Sequence, residues 1–471
     1  MPVAPARRIA FEVLRRVEAE GAYASDLLHA ELGAHAAPSF KSEDAALATE
    51  LTLGVLRRRR LLDFLLARQL KKPAQKLDLP VLLALRMGLY QLRFLERIPA
   101  YAVVNESAEL VKLAKKSSAA TLVNAVLRRA AEEVNKSSEE FLPQNLPLAE
   151  RLGILHSHPT WFVERWLARL GEAQSLSLLE ANNRTPRLSC VLHYSSLSKG
   201  LTLGDPPSPD DMFAVLEESG LRIEPGLLLK NAFVVTGGSP TRVDLFRKGL
   251  LSIQDEASQI IPLLLDVRPN DTVLDLCAAP GGKTAPLVRA AGNGGLVVAA
   301  DRHAHRLRAM RSQFKRLALA RVQLIELDAA QSLPFRQTFN RILVDAPCSG
   351  TGTLARHPEI RWRLRPEQLA EFHVLGVALL KNALAQLAPG GRLVYSTCSL
   401  EPEENEEVVA DVLRDTPSIR RVTVHNAARA LAPHLASRAE VESLFDAAGN
   451  FRTSPADLPT DGFFAAVLEK P

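Results

Sequence analysis

The chain has 471 residues, which is too long for one ordinary hydrophobic core, so we expect two to four domains. Its 47% hydrophobic and 24% charged residues fit a globular protein, and no uncharged apolar run is long enough to predict a membrane-spanning helix. The net charge is +5. The N-terminus lacks an apolar signal core, which predicts a cytoplasmic protein. The four cysteines are too few and too widely spaced to predict a disulfide framework or a metal site.

Residues 1–140 predict an all-α domain. Segments such as ARRIAFEVLRRVEAE and PVLLALRMGLYQLRFL place apolar residues at spacings of three and four, and no segment alternates convincingly as a strand. Prolines and serines mark several of the breaks between these segments.

A basic cluster lies inside this domain, between residues 57 and 76, where Asp63 is the single acid. Its cations are Arg57, Arg58, Arg59, Arg60, Arg68, Lys71, Lys72 and Lys76. Such a cluster suits a nucleic-acid phosphate backbone, and a solvated helix face is the competing interpretation.

Residues 141–250 predict a small α+β module. FLPQNLPLAE at 141–150 is typical of a linker, and a helix with Trp161, Phe162 and Trp166 follows. The short alternating runs RLSCVLHY and NAFVVTG, separated by the loop SKGLTLGDPPSPDD, then predict strands.

Residues 251–471 alternate between β-rich runs and helix-length stretches, which predicts an α/β domain with a doubly wound, mostly parallel sheet. The runs are TVLDL, LVVAAD, VQLIELD, RILVDA and RLVYST. DGFFAAVL would add a late strand, expected to be antiparallel at an edge.

The first of these strands continues into a glycine loop, DLCAAPGGKT at 275–284. Asp301 and Asp328 end the second and third strands, and an acid at such a position accepts hydrogen bonds from ribose hydroxyls. Loop and acids together predict a site for an adenosine-bearing cofactor. The competing P-loop interpretation requires a glycine where Cys277 stands, which disfavours nucleotide hydrolysis.

Two cysteines follow successive strands on the same predicted edge, Cys348 after Asp345 and Cys398 after RLVYST. A single cysteine would most simply be an inert buried thiol, but two at equivalent positions beside a cofactor loop favour chemistry. A thiolate that adds to carbon 6 of a cytosine makes carbon 5 reactive toward a methyl donor. Asp345 is placed to engage the base, and the second thiol to assist release. The pattern does not decide which thiol attacks.

The target carbon of such a base is hidden in a stack, so the substrate must be single-stranded or flipped out. The segment RHPEIRWR at 356–363 follows Cys348 and offers Arg356, Arg361 and Trp362 to hold phosphates and stack on a base. Packing of Trp362 within its own domain is the alternative.

The motifs DLCAAPGGKT, DAPCSGTGTLARHPEIRW, VYSTCSLEPEENE, LSIQDEAS and DGFFAA resemble the 5-methylcytosine RNA methyltransferases of the Sun (Fmu, RsmB) type. The resemblance implies S-adenosylmethionine as cofactor, Cys398 as the nucleophile and Cys348 as the residue of product release. It implies cofactor contacts from Cys277, Ala278, Ala279, Pro280, Gly281, Gly282, Lys283, Asp301, Asp328 and Asp345.

The segments AYAVVNESAELVKLAKK and LVNAVLRR in the first domain resemble the RNA-binding NusB fold. The resemblance implies an enzyme that acts on 16S ribosomal RNA, free or in a partly assembled small subunit, and nothing in the sequence indicates more than a monomer. A transfer RNA substrate is the alternative within the family. A DNA methyltransferase, which would attack with Cys348, and a binding protein with a vestigial sheet are less consistent with these motifs. The Ala-rich tract before DGFFAA has no motif that carries a function.

Overall fold

A computed structural model describes residues 3–34, 40–71, 73, 76–193, 209–436 and 440–471. The contacts between residues divide the chain into two units. The first comprises Met1–Thr185 and Thr353–Leu364, and the second comprises Pro186–Gly352 and Arg365–Pro471. Within the described ranges, no helix combines the length and the apolar character needed to cross a bilayer.

The first unit is helical, as the sequence predicts. Its longer helices are α1 (Pro5–Glu20), α2 (Ala24–Ala34), α3 (Ser42–Gln69), α4 (Leu79–Phe94), α5 (Ala100–Leu113), α6 (Ala120–Glu132), α7 (Leu148–Leu155) and α8 (Thr160–Ala181). Helices α1 to α6 share one apolar core, to which the fully buried Leu14, Leu62 and Leu127 belong. Gly171 interrupts α8 with a φ of 75°, a conformation that glycine adopts without steric cost.

The second unit begins with a small antiparallel sheet. Its strands are β1 (Leu188–Leu192), β2 (Arg222–Pro225), β3 (Ala232–Gly237) and β4 (Leu251–Ile253), in the order β2-β3-β1-β4. Helix α9 (Pro209–Glu218) precedes β2. The two predicted runs become β1 and β3, whereas α7 and α8, expected in the same module, belong to the first unit. Residues 198–208 of the expected loop lie outside the described residues, and its last three residues begin α9.

The larger sheet is mostly parallel, in agreement with the prediction. Its strands are β5 (Thr272–Asp275), β6 (Leu296–Asp301), β7 (Val322–Glu326), β8 (Phe339–Asp345), β9 (Leu387–Thr397), β10 (Arg420–Arg421), β11 (Phe451–Thr453) and β12 (Phe463–Glu469). Strands β5 to β9 pair in parallel in the order β9-β8-β5-β6-β7. The late strand β12 is antiparallel to β9, as expected, but its predicted edge position is wrong because β10 pairs with its other side.

Helices cover both faces of this sheet. They are α11 (Glu256–Leu263), α12 (Thr284–Ala291), α13 (Ala304–Arg316), α15 (Gln368–Ala385), α16 (Glu406–Asp415) and α17 (Val424–Leu431). The short α10 (Asp244–Arg247) packs with the small sheet, and the short α14 (Ile360–Arg363) belongs to the first unit. Val273 packs in a core with residues of α11 and α12, and its neighbour Leu274 packs in another with residues of α15 and α16. Because β5 to β9 run parallel, their carboxyl ends lie at one shared edge of the sheet, where ligands bind in folds of this class.

Candidate active site

A cleft of ≈ 420 Å³ opens at the carboxyl ends of the parallel strands. Among the residues that line it are all three acids and both cysteines singled out from the sequence. These are Asp301, Asp328, Asp345, Cys348 and Cys398. Leu327, Ala329, Leu375 and Leu379 add apolar surface to the same cleft. The cleft thus combines acids for ribose hydroxyls with apolar walls for an adenine ring, which fits an adenosine-bearing cofactor.

The glycine loop connects β5 to α12 and forms one wall of the cleft. Gly281 has a φ of 100°, and a Cβ atom there would lie 2.8 Å from the Phe314 ring, so both the backbone and the packing require glycine. Behind the loop, the hydroxyl of Thr284 donates to Asp275 over 2.7 Å. Burial raises the pKa of this Asp275 carboxyl to about 7.

Asp301 and Asp328 are oriented by backbone donors. The Asp301 carboxylate accepts hydrogen bonds from the Ala279 N–H at 3.2 Å and the His303 N–H at 2.9 Å. Asp328 accepts from the Ala330 N–H at 3.1 Å. Each carboxylate oxygen has two lone pairs, so these acids keep acceptor capacity for the hydroxyls of a bound ribose.

Asp345 connects the cofactor loop to the thiols. Its carboxylate accepts from the Lys283 ammonium at 2.7 Å and from the Ser396 hydroxyl at 2.8 Å. Burial alone would lower the pKa of Lys283, but the charge and the hydrogen bond of Asp345, with smaller contributions from Cys398 and Asp275, together outweigh it and the net shift of the pKa is upward. The site therefore keeps a positive charge beside Cys398. The same ammonium lies 4.9 Å from the centre of the Phe463 ring, within cation–π distance.

The two cysteines are in contact. Their sulfur atoms lie 3.4 Å apart, and both are free thiols. The N–H of Gly352 donates to the Cys398 carbonyl at 2.9 Å and so joins the two loops. The hydrogen bond with Cys398, burial and the nearby Glu404 carboxylate all raise the pKa of Cys348 well above its ordinary value. Cys348 is therefore held in its protonated form at neutral pH.

Two residues of this region, Phe463 and Glu404, are not among the site residues predicted from the sequence. Phe463 is the first phenylalanine of DGFFAA, whose strand β12 pairs with β9 beside the thiols. Glu404 lies in the PEENE segment after Cys398, and its carboxylate bonds the serine that follows each cysteine. Two Cys-Ser pairs followed by an acid-rich turn were the available signal in the sequence.

Two predicted RNA contacts are corrected by the structure. Arg57 is buried and its guanidinium donates twice to the Ala355 carbonyl, at 3.0 and 2.8 Å. Arg361 is 0% exposed. It donates to the Ser157 and Asn182 carbonyls, to the Asn183 side chain and to the Leu354 carbonyl. Both cations hold residues 353–364 within the first unit, so neither faces a phosphate.

Other members of the predicted RNA surface also have contacts within the first unit. Arg58 lies over Phe94, Arg59 lies over Trp362 and pairs with Glu18 at 3.2 Å, and Arg60 donates to the His158 carbonyl and the Thr160 hydroxyl. The Trp362 indole donates to the Leu56 carbonyl at 2.9 Å, which favours packing over base stacking.

Lys71 is exposed and Arg356 half-buried, while Lys72 lies outside the described residues. For these three cations, as for Arg58 to Arg60, RNA binding stays a prediction.

Comparisons with known proteins identify both parts of the chain. Residues 262–469 match the family described as 16S rRNA methyltransferase RsmB/F, and residues 4–132 match the NusB family. A probable ribosomal RNA small subunit methyltransferase B from Bacillus subtilis is 30% identical over 469 residues, which cover 98% of each chain. The ribosomal RNA small subunit methyltransferase B of Pseudomonas putida is 34% identical over 395 residues, 83% of this chain and 86% of its own.

A solved structure has the same fold. The crystal structure of a methyltransferase homologue from Pyrococcus horikoshii superposes with a TM-score of 0.56 and 28% identity. The superposition covers 69% of this chain and 100% of that one.

Proposed function

The chain belongs to the RsmB/F family of 16S rRNA methyltransferases, and from this premise we propose that it methylates carbon 5 of a cytosine in small-subunit ribosomal RNA through a covalent bond to Cys398. It is an RNA methyltransferase with a class I domain that uses S-adenosylmethionine. The observation that supports the cytosine chemistry best is the contact of two free thiols, 3.4 Å apart, at the cofactor edge of the sheet.

The reaction begins when the Cys398 thiolate uses its electron pair to form a bond to carbon 6, which displaces the π pair of the double bond between carbons 5 and 6 into the ring and makes carbon 5 nucleophilic. S-adenosylmethionine, when bound, would supply the methyl group that carbon 5 receives. The carbon 5 proton then leaves to solvent, its electron pair re-forms the double bond between carbons 5 and 6, and the bond between carbon 6 and sulfur breaks, so that Cys398 departs as a thiolate that accepts a hydrogen bond from the Cys348 S–H. The chain's contribution is to hold the base, to make the thiolate and to release it.

The surroundings of the two thiols support different roles for them. The Lys283 ammonium is within electrostatic range of Cys398, so a positive charge lies beside the sulfur that is proposed to attack. Cys348 is held as a thiol, so its S–H can donate to the departing Cys398 sulfur as the adduct breaks down. These two roles agree with the family resemblance, which implies that Cys398 attacks and Cys348 assists release.

Asp345 is proposed to bind the cytosine. It lines the cleft beside both sulfurs, and its carboxylate can accept from the exocyclic amino group while Lys283 holds its other oxygen. A negative carboxylate at this position also favours a proton on ring nitrogen 3, which offsets the charge that thiolate addition brings into the ring.

The NusB-like helices support an RNA substrate, and the names of the relatives support the small subunit. We expect the protein to act as a monomer on 16S rRNA, either free or partly assembled. Bisulfite sequencing of ribosomal and transfer RNA, from cells with and without this protein, tests the proposal. Loss of one methylcytosine in 16S rRNA is the expected result. A loss confined to transfer RNA would replace the substrate, and an unchanged methylcytosine pattern would reject the cytosine chemistry.

A further inference from the structure

A single buried carboxylate, that of Glu404, joins the loops that carry the two cysteines. Each cysteine is followed by a serine, Ser349 after Cys348 and Ser399 after Cys398. The Ser349 N–H donates to one Glu404 oxygen at 2.7 Å, and its hydroxyl donates to the other at 2.6 Å. The Ser399 hydroxyl donates to the second oxygen as well. One side chain therefore fixes the residue next to each thiol.

Glu404 is itself held rigidly. It is 1% exposed, and the Tyr395 hydroxyl donates to its backbone carbonyl at 2.8 Å. The next residue, Asn405, accepts from the Thr397 hydroxyl at 2.5 Å and donates to the Ser399 carbonyl at 2.9 Å, so it binds the residues on both sides of Cys398. Because the carboxylate is held in place, its hydrogen bonds also hold both cysteine loops in place.

A carboxylate at this buried position costs free energy because its charged form is removed from water. Burial raises the pKa of Glu404 to about 7, and the hydrogen bonds from Ser349 and Ser399 only partly compensate. The donors that reach its carboxylate in the described structure are uncharged: a backbone N–H and two hydroxyls. An amide or an apolar side chain would fill the space at lower cost. A buried acid without a cationic donor therefore indicates a role beyond packing.

We propose that Glu404 is a positioning residue of the two-thiol site, which sets the contact between Cys348 and Cys398 and keeps Cys348 the proton donor of the pair. The assignment of a proton donor and a nucleophile rests on the proposed function. The positioning itself does not, because it depends only on the hydrogen bonds to Ser349 and Ser399.

The charge of Glu404 acts on its ionisable neighbours in one direction. These neighbours are Cys348 from the loop after β8, Tyr395 from β9 and Glu401 from its own turn. The hydrogen bond with Cys398 raises the pKa of Cys348 and burial raises the pKa of Tyr395, and the charge of Glu404 adds to both shifts because each group becomes an anion when it loses its proton. At the alkaline pH where thiols titrate, Glu404 is ionised and opposes the ionisation of Cys348.

The pH dependence of Cys348 alkylation tests this directly in the full-length protein. Cys348 lines the cleft, so iodoacetamide can reach it, and peptide mass spectrometry distinguishes it from the other cysteines. Glu404→Gln retains the shape and the acceptor for Ser349 but removes the charge. We expect the midpoint of Cys348 alkylation to fall by about one pH unit. Glu404→Asp keeps the charge, and Glu407→Gln, on the exposed start of α16, is the matched control that leaves the midpoint unchanged.

Methyl transfer is the second readout. Because Glu404 acts through the cysteines, Glu404→Gln should lower kcat by about ten- to a hundred-fold while the KM for S-adenosylmethionine changes little. If the variant does not fold, Ser399→Ala removes one of the two loop contacts and should lower kcat in the same way. A folded Glu404→Gln protein with an unchanged alkylation midpoint and unchanged kcat would overturn the proposal. A shifted midpoint in a protein that makes no methylcytosine would instead retain the positioning role and reject the proposed function.

Discussion

Cys348 and Cys398 lie fifty residues apart in sequence, yet their sulfur atoms are 3.4 Å apart. The register of the sheet explains this contact, because β8 and β9 are parallel neighbours that pair Asp345 with Ser396. Cys348 follows the end of β8 by three residues and Cys398 directly follows the end of β9, so both thiols reach the same cleft. A sulfur–sulfur bond would be about 2.05 Å, so this is a pair of thiols in van der Waals contact.

This contact predicts opposite phenotypes for two alanine variants. Cys398→Ala should abolish methyl transfer, because the attacking thiolate is gone, while S-adenosylmethionine binding survives. Cys348→Ala should accumulate a covalent RNA–protein adduct, because the departing Cys398 sulfur loses its proton donor. A denaturing gel with labelled RNA shows the adduct as a shifted band.

Cys190→Ala is the control for the removal of a thiol, since Cys190 is buried in the small sheet away from this cleft. Adduct accumulation in Cys398→Ala and none in Cys348→Ala would reverse the two roles.

Variants of Asp345 and Asp301 should affect different steps, the first methyl transfer and the second cofactor binding. Asp345→Asn removes the charge that holds Lys283 and faces the thiols, so we expect kcat to fall by about a hundred-fold or more. Asp301→Asn, at the ribose end of the cleft, should mainly raise the KM for S-adenosylmethionine. Steady-state kinetics with calorimetric cofactor binding distinguish the two, and equal losses of cofactor affinity in both variants would contradict the assignment.

The sequence predicts which acids and cysteines line the cleft because these residues lie at or just beyond the ends of regular strands. Asp301, Asp328, Asp345 and Cys348 each end or closely follow a β-rich run, and parallel strands must bring their ends to one edge. The order of the strands and the reactivity of thiols are then enough to predict that Cys348 and Cys398 form a pair. They could not name Glu404, because its importance arises from hydrogen bonds to two loops that meet only in the folded chain.

Two residues of the predicted RNA surface, Arg57 and Arg361, lie where tertiary structure overrides local sequence. Arg361 follows Cys348 closely in the chain and looks like a phosphate contact beside the site. Residues 353–364 nevertheless fold into the first unit, where Arg361 is enclosed by backbone carbonyls. A charge pattern along a helix likewise gives no indication that Arg57 turns inward to cap the carbonyl of Ala355.

Arg361→Lys should therefore destabilise the protein rather than weaken RNA binding. Lysine keeps the charge but cannot supply the planar fork that reaches four acceptors, so buried carbonyls lose their donors. We expect a loss of about 3 kcal/mol in the stability of the first unit, measured by scanning calorimetry. Arg365→Lys, at an exposed position four residues on, is the control. An unchanged unfolding transition with weaker RNA binding would restore the original prediction.

RNA binding by Lys71 stays a prediction, and the side chain is exposed in the basic cluster. Lys71→Gln should lower RNA affinity and reduce the slope of log affinity against log salt by about one. Arg57→Gln should leave this slope unchanged and lower stability instead, because its guanidinium is bound to Ala355. Filter binding across a salt series measures both. Identical slopes for Lys71→Gln and the unmodified protein would assign Lys71 to a solvated helix face.

The raised pKa of the buried Asp275 carboxyl predicts that the stability of the protein depends on pH. Burial raises its pKa from 3.8 to about 7 in the folded protein, so between these values the folded chain keeps a proton that the unfolded chain releases. Stability must then fall as pH rises through this window, by up to roughly 1 kcal/mol for each pH unit from this group. Glu404, whose pKa is also raised to about 7, contributes in the same direction.

Asp275→Asn removes the ionisation but keeps an acceptor for the Thr284 hydroxyl. The variant should therefore gain stability relative to the unmodified protein as pH rises from 5 to 7, measured by urea unfolding at each pH. Asp415→Asn is the control, because Asp415 lies on the surface with its pKa lowered by Lys381 and titrates below this window. Parallel pH curves for Asp275→Asn and the unmodified protein would mean that Asp275 is already ionised in the folded state, with Lys283 rather than a proton balancing its charge.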